Sequence, residues 1–398
     1  MVFINLIEMY TYKIFNNIAL QGINCLKDNG FKENENDPDA LLIRSYDLTE
    51  KDFNPSLKCI CRAGAGVNHI PLSMATEKGV VVFNTPGGNA NAVKELVICG
   101  LLLSSRGIIQ GHKFTQNIEE TNINDVTNLV ESNKKTFKGS ELKGKTIGII
   151  GLGSIGSLLA QSVESMGMKI IGYDPNISID SAWQLPKEVE KADDLKYLLS
   201  NSDYISIHVP LVDETKNLIA KDNLQHIKKG AKLINLSRGA IVNNEDVLEA
   251  LSNKNISCFV TDFPTPEMIK RSNEHEDVIL MPHLGASTQE AEVNCAIMAA
   301  EQANRFLKDG EIINSVNFPR VKLGRTTENR LVIVHKDEPG VIGRITGEIA
   351  SVNLNIADMI NKSRNEIAIT LIDLQLEPSK KLIDNIKKMK RVFSVRIC

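Results

Sequence analysis

The sequence predicts a doubly wound α/β protein, in which parallel strands are covered by helices on both faces. Short apolar runs rich in β-branched residues alternate with longer helix-like stretches from about residue 40 to residue 285. Near-continuous apolar strands between helices are typical of parallel sheets that are buried on both faces. The runs are ALLIR (40–44), VVVFN (80–84), TIGIIG (146–151), KIIGYD (169–174), YISIHVP (204–210), KLINLS (232–237) and VILMPH (278–283).

Size and composition set the limits of this prediction. The chain has 398 residues, 42% hydrophobic and 24% charged, which suits two or three domains with apolar cores. Its net charge of -3 gives no support for nucleic-acid or membrane-surface partners. The seven cysteines include an isolated CxC at Cys59 and Cys61 without a second ligand pair, so no metal site is expected. Residues 1–13 lack the pattern of a leader peptide, and a cytoplasmic protein is expected.

The order of the elements indicates several domains. About ninety residues of α/β character end at NTPGGN (84–89), a breaker-rich stretch that suits a domain crossing. A helical run follows from Ala92 to Ile109, and its periodicity fits either internal packing or a subunit contact. The segment after Val316, NFPRVKLGRTTEN, mixes proline, glycine and charge and is interpreted as a linker.

The C-terminal part has a different pattern. Two strands flank a helix and are followed by a third strand, a second helix and a last strand. This βαββαβ order is the ferredoxin-like split βαβ arrangement. The predicted elements are strand RLVIVH (330–335), helix 341–351, strands LNIADMI and EIAITLIDLQL, helix 379–389 and strand VFSVRI.

The turn GLGSIG, from Gly151 to Gly156, predicts a dinucleotide site. It lies between a predicted strand, Lys145 to Ile150, and a predicted helix, Ser157 to Met166. Gly151 permits the tight turn, Gly153 lets the backbone approach a pyrophosphate, and the third glycine lets the helix pack on the sheet. The N–H groups and the positive end of the helix dipole would then face the phosphates.

An acidic residue at the end of the next strand sharpens this prediction. Asp174 ends KIIGYD, 18 residues after Gly156, where a carboxylate can accept hydrogen bonds from the adenosine ribose hydroxyls. A carboxylate there also repels a 2′-phosphate, and no basic residue follows in Pro175-Asn176-Ile177. The sequence therefore predicts NAD rather than NADP.

Polar side chains at three further strand ends predict the chemistry. Arg238 follows KLINLS, Asp262 and Glu267 lie in TDFPTPE, and His283 follows VILM. Oxidation of an alcohol needs a base for the hydroxyl proton, which suits a histidine oriented by a carboxylate. It also needs a cation that holds an anionic substrate and polarises the developing carbonyl, which suits a guanidinium. The set predicts an oxidoreductase.

These motifs resemble those of the D-isomer-specific 2-hydroxyacid dehydrogenase family over essentially the whole chain. RAGAGV and NTPGGN favour its phosphoglycerate branch. The matching stretches are RAGAGVNHI (62–70), NTPGGN (84–89), ELKGKTIGIIGLGSIG (141–156), HVP (208–210), SRG (237–239) and PHLGAST (282–288).

The resemblance implies two Rossmann-like domains and a C-terminal ACT domain. The substrate-binding domain is expected to be split in sequence, over 1–93 and 287–320, around an NAD-binding domain at 94–286. The ACT domain is expected at 328–398. The implied cofactor contacts are Gly151, Gly153, Ser154, Ile155, Gly156, Asp174, Val209, Pro210, Leu236, Ser237, Asp262 and Gly285.

The resemblance also implies roles for the polar residues. Arg238, Glu267 and His283 form the implied catalytic trio, with His283 as acid/base, and Asp262 resembles the ligand of the nicotinamide amide. The family usually has Glu-Pro after Asp-Val-Phe, whereas this chain has Pro266-Glu267. Two other carboxylates therefore stay open as alternatives to Glu267, namely Glu274 and Glu276.

Substrate and effector follow from the resemblance as well. A doubly anionic substrate, 3-phosphoglycerate, would be held by fixed positive charge and backbone N–H groups. The implied substrate contacts are Arg44, Arg62, Gly64, Ala65 and Gly66. The ACT domain is expected to bind L-serine, although a purely oligomerising role stays open, and Asp337 stands where asparagine is common. The implied effector contacts are His335, Asp337 and Asn355.

The resemblance thus implies an enzyme of L-serine synthesis that works as a homodimer or homotetramer. The expected reaction is oxidation of 3-phosphoglycerate by NAD. One alternative is a glyoxylate or hydroxypyruvate reductase or another D-2-hydroxyacid dehydrogenase. A non-enzymatic, NAD-sensing corepressor-like protein is the alternative from a different class.

Overall fold

The computed structural model describes residues 10–398 and divides the chain into two compact units. One unit combines the residues up to Asn89 with Gln289–Cys398, and the other is Ala90–Thr288. Residues 1–9 lie outside the described part. They include the start of the predicted substrate-binding segment 1–93 and most of residues 1–13, which lack the sequence pattern of a leader peptide. The proposed boundaries at 93, 287 and 320 remain predictions.

The first unit begins with a five-stranded parallel sheet in the order β2-β1-β3-β4-β5. All four residues of the run ALLI are buried in β3, as the apolar pattern predicts for a strand covered on both faces. The elements are β1 Thr11–Ile14, α1 Leu20–Asp28, β2 Lys32–Glu33, β3 Ala40–Ile43, β4 Cys59–Arg62, α2 Leu72–Glu77 and β5 Val81–Phe83.

The second unit contains a seven-stranded parallel sheet. Three helices precede it: α3 Ala90–Ser105, α4 Ile108–Gln116 and α5 Ile123–Asn133. The helix predicted to run from Ala92 to Ile109 is thus wrong at its end, because it stops at Ser105 and a new helix begins at Ile108. At Gly107, between the two helices, a Cβ would lie 3.0 Å from the Phe137 backbone, so glycine lets the chain pass close to Phe137 at this break.

The strand order of this sheet is β12-β11-β10-β9-β6-β7-β8. The chain builds outward from β6 through β7 to β8, then returns to the other side of β6 with β9. Ligands of open α/β sheets bind at such a reversal point, outside the carboxyl ends of the strands. The elements are β6 Thr146–Ile150, α6 Ser154–Ser165, β7 Lys169–Tyr173, α7 Ile179–Ala182, β8 Glu190–Lys191, α8 Leu195–Asn201, β9 Tyr204–Ile207, α9 Lys221–Leu224, β10 Ala231–Asn235, α10 Asn244–Ser252, β11 Ile256–Thr261, α11 Pro266–Glu274 and β12 Val278–Leu280.

The chain returns to the first unit through a long helix, α12 Gln289–Asp309, which packs on α1. Its alanine-rich face allows a close approach, since a Cβ on Gly22 of α1 would lie 2.6 Å from the carbonyl oxygen of Ala296. Ala296, Ala299, Ala300 and Ala303 of α12 are all fully buried.

The C-terminal elements form a separate four-stranded antiparallel sheet in the order β14-β15-β13-β16. Their βαββαβ order is the one that the sequence pattern predicts. One face packs against α13 and α14, and Val332, Val334, Ile369 and Leu371 of the other face join the core around the first sheet. The elements are β13 Asn329–Lys336, α13 Val341–Ser351, β14 Ile356–Arg364, β15 Ile367–Leu374, α14 Lys380–Lys387 and β16 Val392–Ile397.

The segment interpreted as a linker is instead part of the core. Phe318 and Val321 are each 1% exposed, and Val321 exchanges two backbone hydrogen bonds of 2.9 Å with Ile312. Two apolar anchors in a short segment hold it against α12 and the first sheet. The charged residues, proline and glycine around Phe318 and Val321 are typical of a linker, so the sequence pattern did not indicate that this segment is packed.

Within residues 10–398, no helix is both long and apolar enough to cross a bilayer. That part of the chain also contains no group of three metal-ligating side chains.

Candidate active site

The glycine turn lies at the carboxyl end of β6 and opens directly into α6. Gly151 has a φ of +93°, and a Cβ there would lie 2.8 Å from the backbone of His208. Nothing lies within 4 Å of a Cβ built on Gly153, the N-cap residue, and no side chain caps the helix. The helix begins at Ser154 rather than at Ser157 as predicted, so the first turn of N–H groups falls within the glycine motif. This is an open anion cradle that fits a pyrophosphate.

Asp174 is fixed beside this turn by two backbone donors. Its Oδ2 accepts a hydrogen bond of 2.8 Å from the Leu152 N–H, and its Oδ1 accepts one of 2.9 Å from the Asn176 N–H. The residue is half-buried just after β7. Each carboxylate oxygen keeps accepting capacity, so the side chain is oriented next to the turn and can still accept from ribose hydroxyls.

Asp262 is the most buried polar residue of the predicted site, 1% exposed just after β11. Its Oδ2 accepts a hydrogen bond of 3.0 Å from the Gly285 N–H, whereas its Oδ1 is buried and has no partner among the described residues. Burial raises the pKa of this carboxyl, although the Gly285 N–H, His283 and Arg238 each favour the ionised form. A buried acceptor without a donor fits the amide of a nicotinamide.

Arg238 and His283 lie on either side of Asp262, after β10 and β12. The Arg238 carbonyl accepts a hydrogen bond of 2.9 Å from Asn235, and its guanidinium donates to the Ser237 carbonyl at 2.6 Å. His283 has a left-handed backbone with a φ of 51°, unusual for a residue with a Cβ. Its N–H donates to the Asp262 carbonyl at 3.0 Å. An arginine and a histidine thus flank one buried carboxyl group.

The His283 ring is exposed and lies against one aromatic neighbour. Its centroid is 5.1 Å from that of the Phe263 ring, at an interplanar angle of 53°. Phe263 also packs on Gly239, since a Cβ built on Gly239 would lie 3.2 Å from the Cβ of Phe263. The aromatic side chain therefore spaces the loops that carry Arg238 and His283.

Glu267 lies in the first turn of α11, after the carboxyl end of β11, and is exposed. In the part of the chain that the structure describes, it forms no hydrogen bond or ion pair with His283. The two alternatives lie elsewhere: Glu274 ends α11, and Glu276 precedes β12. They therefore lie at the amino edge of the sheet, whereas His283 follows the carboxyl end of β12. Topology favours Glu267.

The remaining implied cofactor residues share the carboxyl edge of the seven-stranded sheet. Ser237 donates its hydroxyl to the Val209 carbonyl at 2.6 Å, which joins the loops after β9 and β10. Ser154 and Ile155 lie in the first turn of α6, Val209 and Pro210 follow β9, and Leu236 and Ser237 follow β10.

The implied substrate residues gather at the carboxyl edge of the five-stranded sheet, in the other unit. Arg44 follows β3 and Arg62 ends the neighbouring strand β4, and the Arg62 Nε–H donates to the Arg44 carbonyl at 3.0 Å. Gly64 has a φ of +151°, and the Arg62 guanidinium lies where its Cβ would be. The Ala65 carbonyl accepts a hydrogen bond of 2.7 Å from Asn84, which fixes the loop through Gly66.

Two residues near these sites were not assigned a role from the sequence. His208 belongs to the motif HVP, of which only Val209 and Pro210 were assigned. Its Nε2 lies 2.8 Å from the Ser206 hydroxyl, its Nδ1 is buried without a partner among the described residues, and burial lowers its pKa to about 4. Glu292 of α12 forms an ion pair with Arg44. A polar residue directly after a buried strand was the available signal for His208.

The implied effector residues do not come together within one chain. His335 is 1% exposed, and its two ring nitrogens lie 2.7 Å from the Lys336 carbonyl and 2.9 Å from the Thr370 hydroxyl. Asp337 follows β13 and Asn355 precedes β14, so they lie at opposite ends of the sheet because both strands run antiparallel to β15. Both of these residues are exposed.

Comparison with known proteins adds the family. Residues 100–285 match the model of the D-isomer specific 2-hydroxyacid dehydrogenase, NAD binding domain. The D-3-phosphoglycerate dehydrogenase of Escherichia coli (strain K12) is 32% identical over 367 residues, 88% of this chain and 84% of that protein. The enzymes of the same name from Methanocaldococcus jannaschii and Bacillus subtilis are 33% and 36% identical, over 81% and 71% of this chain. The match spans only 60% and 52% of their lengths.

Solved structures show the same fold. An NAD⁺-bound 3-phosphoglycerate dehydrogenase of Entamoeba histolytica has a TM-score of 0.61 at 24% identity, covering 78% of this chain and 99% of that chain. A D-mandelate dehydrogenase of Rhodotorula graminis has a TM-score of 0.65 at 20% identity, covering 77% and 97%. The predicted family is confirmed by the sequence relatives: the chain belongs to the D-isomer-specific 2-hydroxyacid dehydrogenases, and residues 100–285 match the model of the NAD-binding domain of that family.

Proposed function

We propose that the chain is an NAD-dependent D-3-phosphoglycerate dehydrogenase, which oxidises 3-phospho-D-glycerate to 3-phosphohydroxypyruvate, the first step of L-serine biosynthesis. The observation that carries this proposal is Asp262, a buried carboxyl within electrostatic reach of both Arg238 and His283. The relatives described above bear the name of this activity.

The residues at the carboxyl edge of the seven-stranded sheet fit NAD. The glycine turn and the first turn of α6 offer N–H groups to the pyrophosphate, Asp174 accepts from the ribose, and the Asp262 Oδ1 accepts from the amide. The Asp174 carboxylate repels a 2′-phosphate, so NAD is preferred over NADP. When bound, NAD supplies the acceptor for the hydride that leaves the substrate carbon.

The side chains of this chain carry out the remaining steps. A ring nitrogen of His283 takes the proton of the substrate hydroxyl as the carbonyl forms, and the exposed ring passes it to solvent. Glu267 orients and stabilises the protonated ring. The Arg238 guanidinium binds the substrate carboxylate and stabilises negative charge on the reacting oxygen.

Substrate choice rests on positive charge at the five-stranded sheet. Arg44 and Arg62, with the backbone of Gly64, Ala65 and Gly66, bind the phosphate and carboxylate of the substrate. The hydrogen bond of 3.0 Å from the Arg62 Nε to the Arg44 carbonyl joins the ends of β3 and β4, which supports a joint site for a doubly anionic molecule. We assign residues 1–93 and 287–320 to the substrate-binding domain and 94–286 to the NAD-binding domain.

For the C-terminal part, residues 328–398, we propose an ACT domain that binds L-serine. Its βαββαβ order supports this assignment. Since both nitrogens of His335 are used within the chain, ligand contacts fall to Asp337 and Asn355. Because these lie at opposite ends of one sheet, a serine site that uses both requires two copies of the chain, in agreement with a homodimer or homotetramer.

The decisive experiment follows NADH formation by absorbance, with 3-phosphoglycerate or unphosphorylated D-glycerate, with and without L-serine. We expect turnover of 3-phosphoglycerate alone and a lower rate with L-serine. Comparable rates on both acids would favour a glyoxylate or hydroxypyruvate reductase or another D-2-hydroxyacid dehydrogenase. Tight NADH binding without any turnover would favour a corepressor-like protein, and no effect of L-serine would favour an oligomerising role for the domain.

Replacing His283 with alanine tests the assigned base. Turnover is expected to fall by about 10²–10⁴-fold, with NADH binding nearly intact. His275→Ala is the matched control, because His275 is exposed at the opposite edge of the same sheet. Unchanged turnover in His283→Ala would refute the assignment.

A further inference from the structure

A cavity of about 520 Å³ lies between helix α2 and the C-terminal sheet, inside the first compact unit. Its volume is within the range of sites that enclose small ligands, roughly 300–1,000 Å³. None of the implied effector residues lines it. The lining residues are Leu72, Ser73, Thr76, Glu77, Val316, Asn317, Lys336, Arg364, Asn365, Glu366, Ile367 and Phe393.

The walls of this cavity are fixed by direct contacts. The Asn317 amide donates to the Thr76 hydroxyl at 3.1 Å and to the Val80 carbonyl at 2.9 Å, and its Oδ1 accepts from the Val82 N–H at 2.8 Å. A Cβ on Gly79, which has a φ of +70°, would lie 3.0 Å from the Cβ of Phe393. The loop after α2 and strand β16 are thus in close contact, and the cavity has a preformed shape.

Four charged side chains line the cavity, two of each sign. Lys336 and Arg364 are cationic, and Glu77 and Glu366 are anionic. Within the described part of the chain, the side chains of Lys336, Glu77 and Glu366 form no ion pair or hydrogen bond with another residue. Arg364 donates one long hydrogen bond, 3.4 Å, to the Ser315 carbonyl and keeps its other donors. The two positive and two negative charges sum to zero, yet among the described residues these four side chains form no ion pair with one another.

The rest of the lining is partly apolar, through Leu72, Val316, Ile367 and Phe393. We propose that this cavity binds a free amino acid with an apolar side chain. Its carboxylate would pair with Arg364 and Lys336, its ammonium group with Glu77 and Glu366, and its side chain would contact the apolar wall.

Other small molecules fit these charges less well. A dianion would be repelled by the two carboxylates, and a dication by Lys336 and Arg364. A neutral apolar molecule would contact the apolar wall but leave all four charges without a partner. A zwitterion satisfies both signs at once. It would also join α2 to the β14–β15 hairpin and so stabilise the folded unit by linkage.

Calorimetric titration of the full chain tests this proposal with L-leucine as the probe. We expect saturable binding of L-leucine. We also expect at least about tenfold weaker binding of 4-methylpentanoate, which lacks the ammonium group, and of isopentylamine, which lacks the carboxylate, since hydrogen bonds to charged groups have about this effect. L-serine, which has the charges without an apolar side chain, should bind more weakly than L-leucine.

Two variants and one control locate the binding. Arg364→Gln and Glu77→Gln should each weaken L-leucine binding about tenfold or more. Lys362→Gln should leave it unchanged, because Lys362 is an exposed residue of the same strand that does not line the cavity. Arg364 and Glu77 are exposed, so the variants are expected to fold, and their thermal midpoints verify this. Absence of saturable binding, binding unchanged in both variants, or equal affinity for 4-methylpentanoate or L-serine would overturn the proposal.

Discussion

The Nη2 of Arg44 lies 2.6 Å from the Oε1 of Glu292, so a carboxylate of the chain itself pairs with an arginine proposed to bind the substrate. The two residues are 248 positions apart and meet because α12 returns to the five-stranded sheet. Their side chains are 37% and 44% exposed, so the pair is open to exchange with an external anion. Glu292 pairs with the Arg44 guanidinium as a substrate carboxylate or phosphate would.

The first prediction follows from this competition. Glu292→Gln should lower the KM for 3-phosphoglycerate by up to about fivefold, because an exposed ion pair is worth ~0.2–1 kcal/mol that the substrate no longer has to displace. kcat should stay unchanged. Steady-state kinetics at saturating NAD measure both values.

Glu290→Gln is the matched control, since Glu290 is an exposed acid in the same first turn of α12. The decrease in KM caused by Glu292→Gln should be smaller in high salt, because salt screens the ion pair in the wild type. A KM equal to that of the wild type at low salt would show that Glu292 does not compete with the substrate.

The second prediction separates the three candidate carboxylates. Glu267→Gln should lower kcat about tenfold or more, because the protonated histidine ring loses its anionic partner, while the KM for NAD stays nearly unchanged. Glu274→Gln and Glu276→Gln should behave like the wild type, since both residues lie at the amino edge of the sheet. Should one of these two lose activity instead, the topological argument for Glu267 would fail.

The sequence predicted the parallel sheets and their polar strand ends well, because both depend on local patterns. A buried parallel strand needs a run of apolar residues, and a ligand edge needs polar residues after it, as at Asp174 and Asp262. The cofactor motif likewise combines a turn, a helix start and an acid within 24 residues, from Gly151 to Asp174.

Features that depend on distant residues were missed. The segment with Phe318 and Val321 has the composition of a linker, and only its partners in α12 and the first sheet show that it is packed. The pairing of Arg44 with Glu292 depends on the return of α12. The His208 Nδ1, which has no partner among the described residues, lies in a buried position that depends on the backbone contact with Gly151. No window of local sequence contains this information.

The third prediction concerns a buried ion pair that anchors the C-terminal sheet. Arg330 donates two hydrogen bonds to Asp373, at 2.6 and 2.8 Å, and these residues are 1% and 0% exposed. The same guanidinium donates to the carbonyls of Asp309, Leu323 and Gly324. Burial opposes ionisation of Asp373, yet the Arg330 and Thr326 donors outweigh it and lower its pKa.

Asp373→Asn should therefore lower the free energy of unfolding by about 3–5 kcal/mol, because a buried guanidinium loses its counter-charge. Urea denaturation at neutral pH measures this loss. Glu301→Gln is the control, since its pair with Arg305 spans 3.7 Å between half-exposed side chains and should cost under about 1 kcal/mol. Equal losses in both variants would mean that burial gives the Arg330–Asp373 pair no special weight.

The fourth prediction concerns His208 and pH. Burial lowers the pKa of this histidine from 6.5 to about 4, so the folded state binds its proton less readily than the unfolded chain does. Stability linked to His208 is then fully present above pH 6.5 and is lost as the pH falls towards 4. Between about pH 7 and pH 5 the loss should reach about 2 kcal/mol.

His208→Gln removes the titrating ring while keeping a polar group near the Ser206 hydroxyl. When the pH falls from about 7 to 5, the free energy of unfolding should decrease in the wild type by about 2 kcal/mol more than in the variant. Urea denaturation without NADH measures both decreases. His275→Gln serves as the control, because His275 is exposed and should leave the wild-type pH dependence in place. Parallel pH profiles for the wild type and His208→Gln would mean that the ring accepts its proton as easily in the folded chain as in the unfolded one.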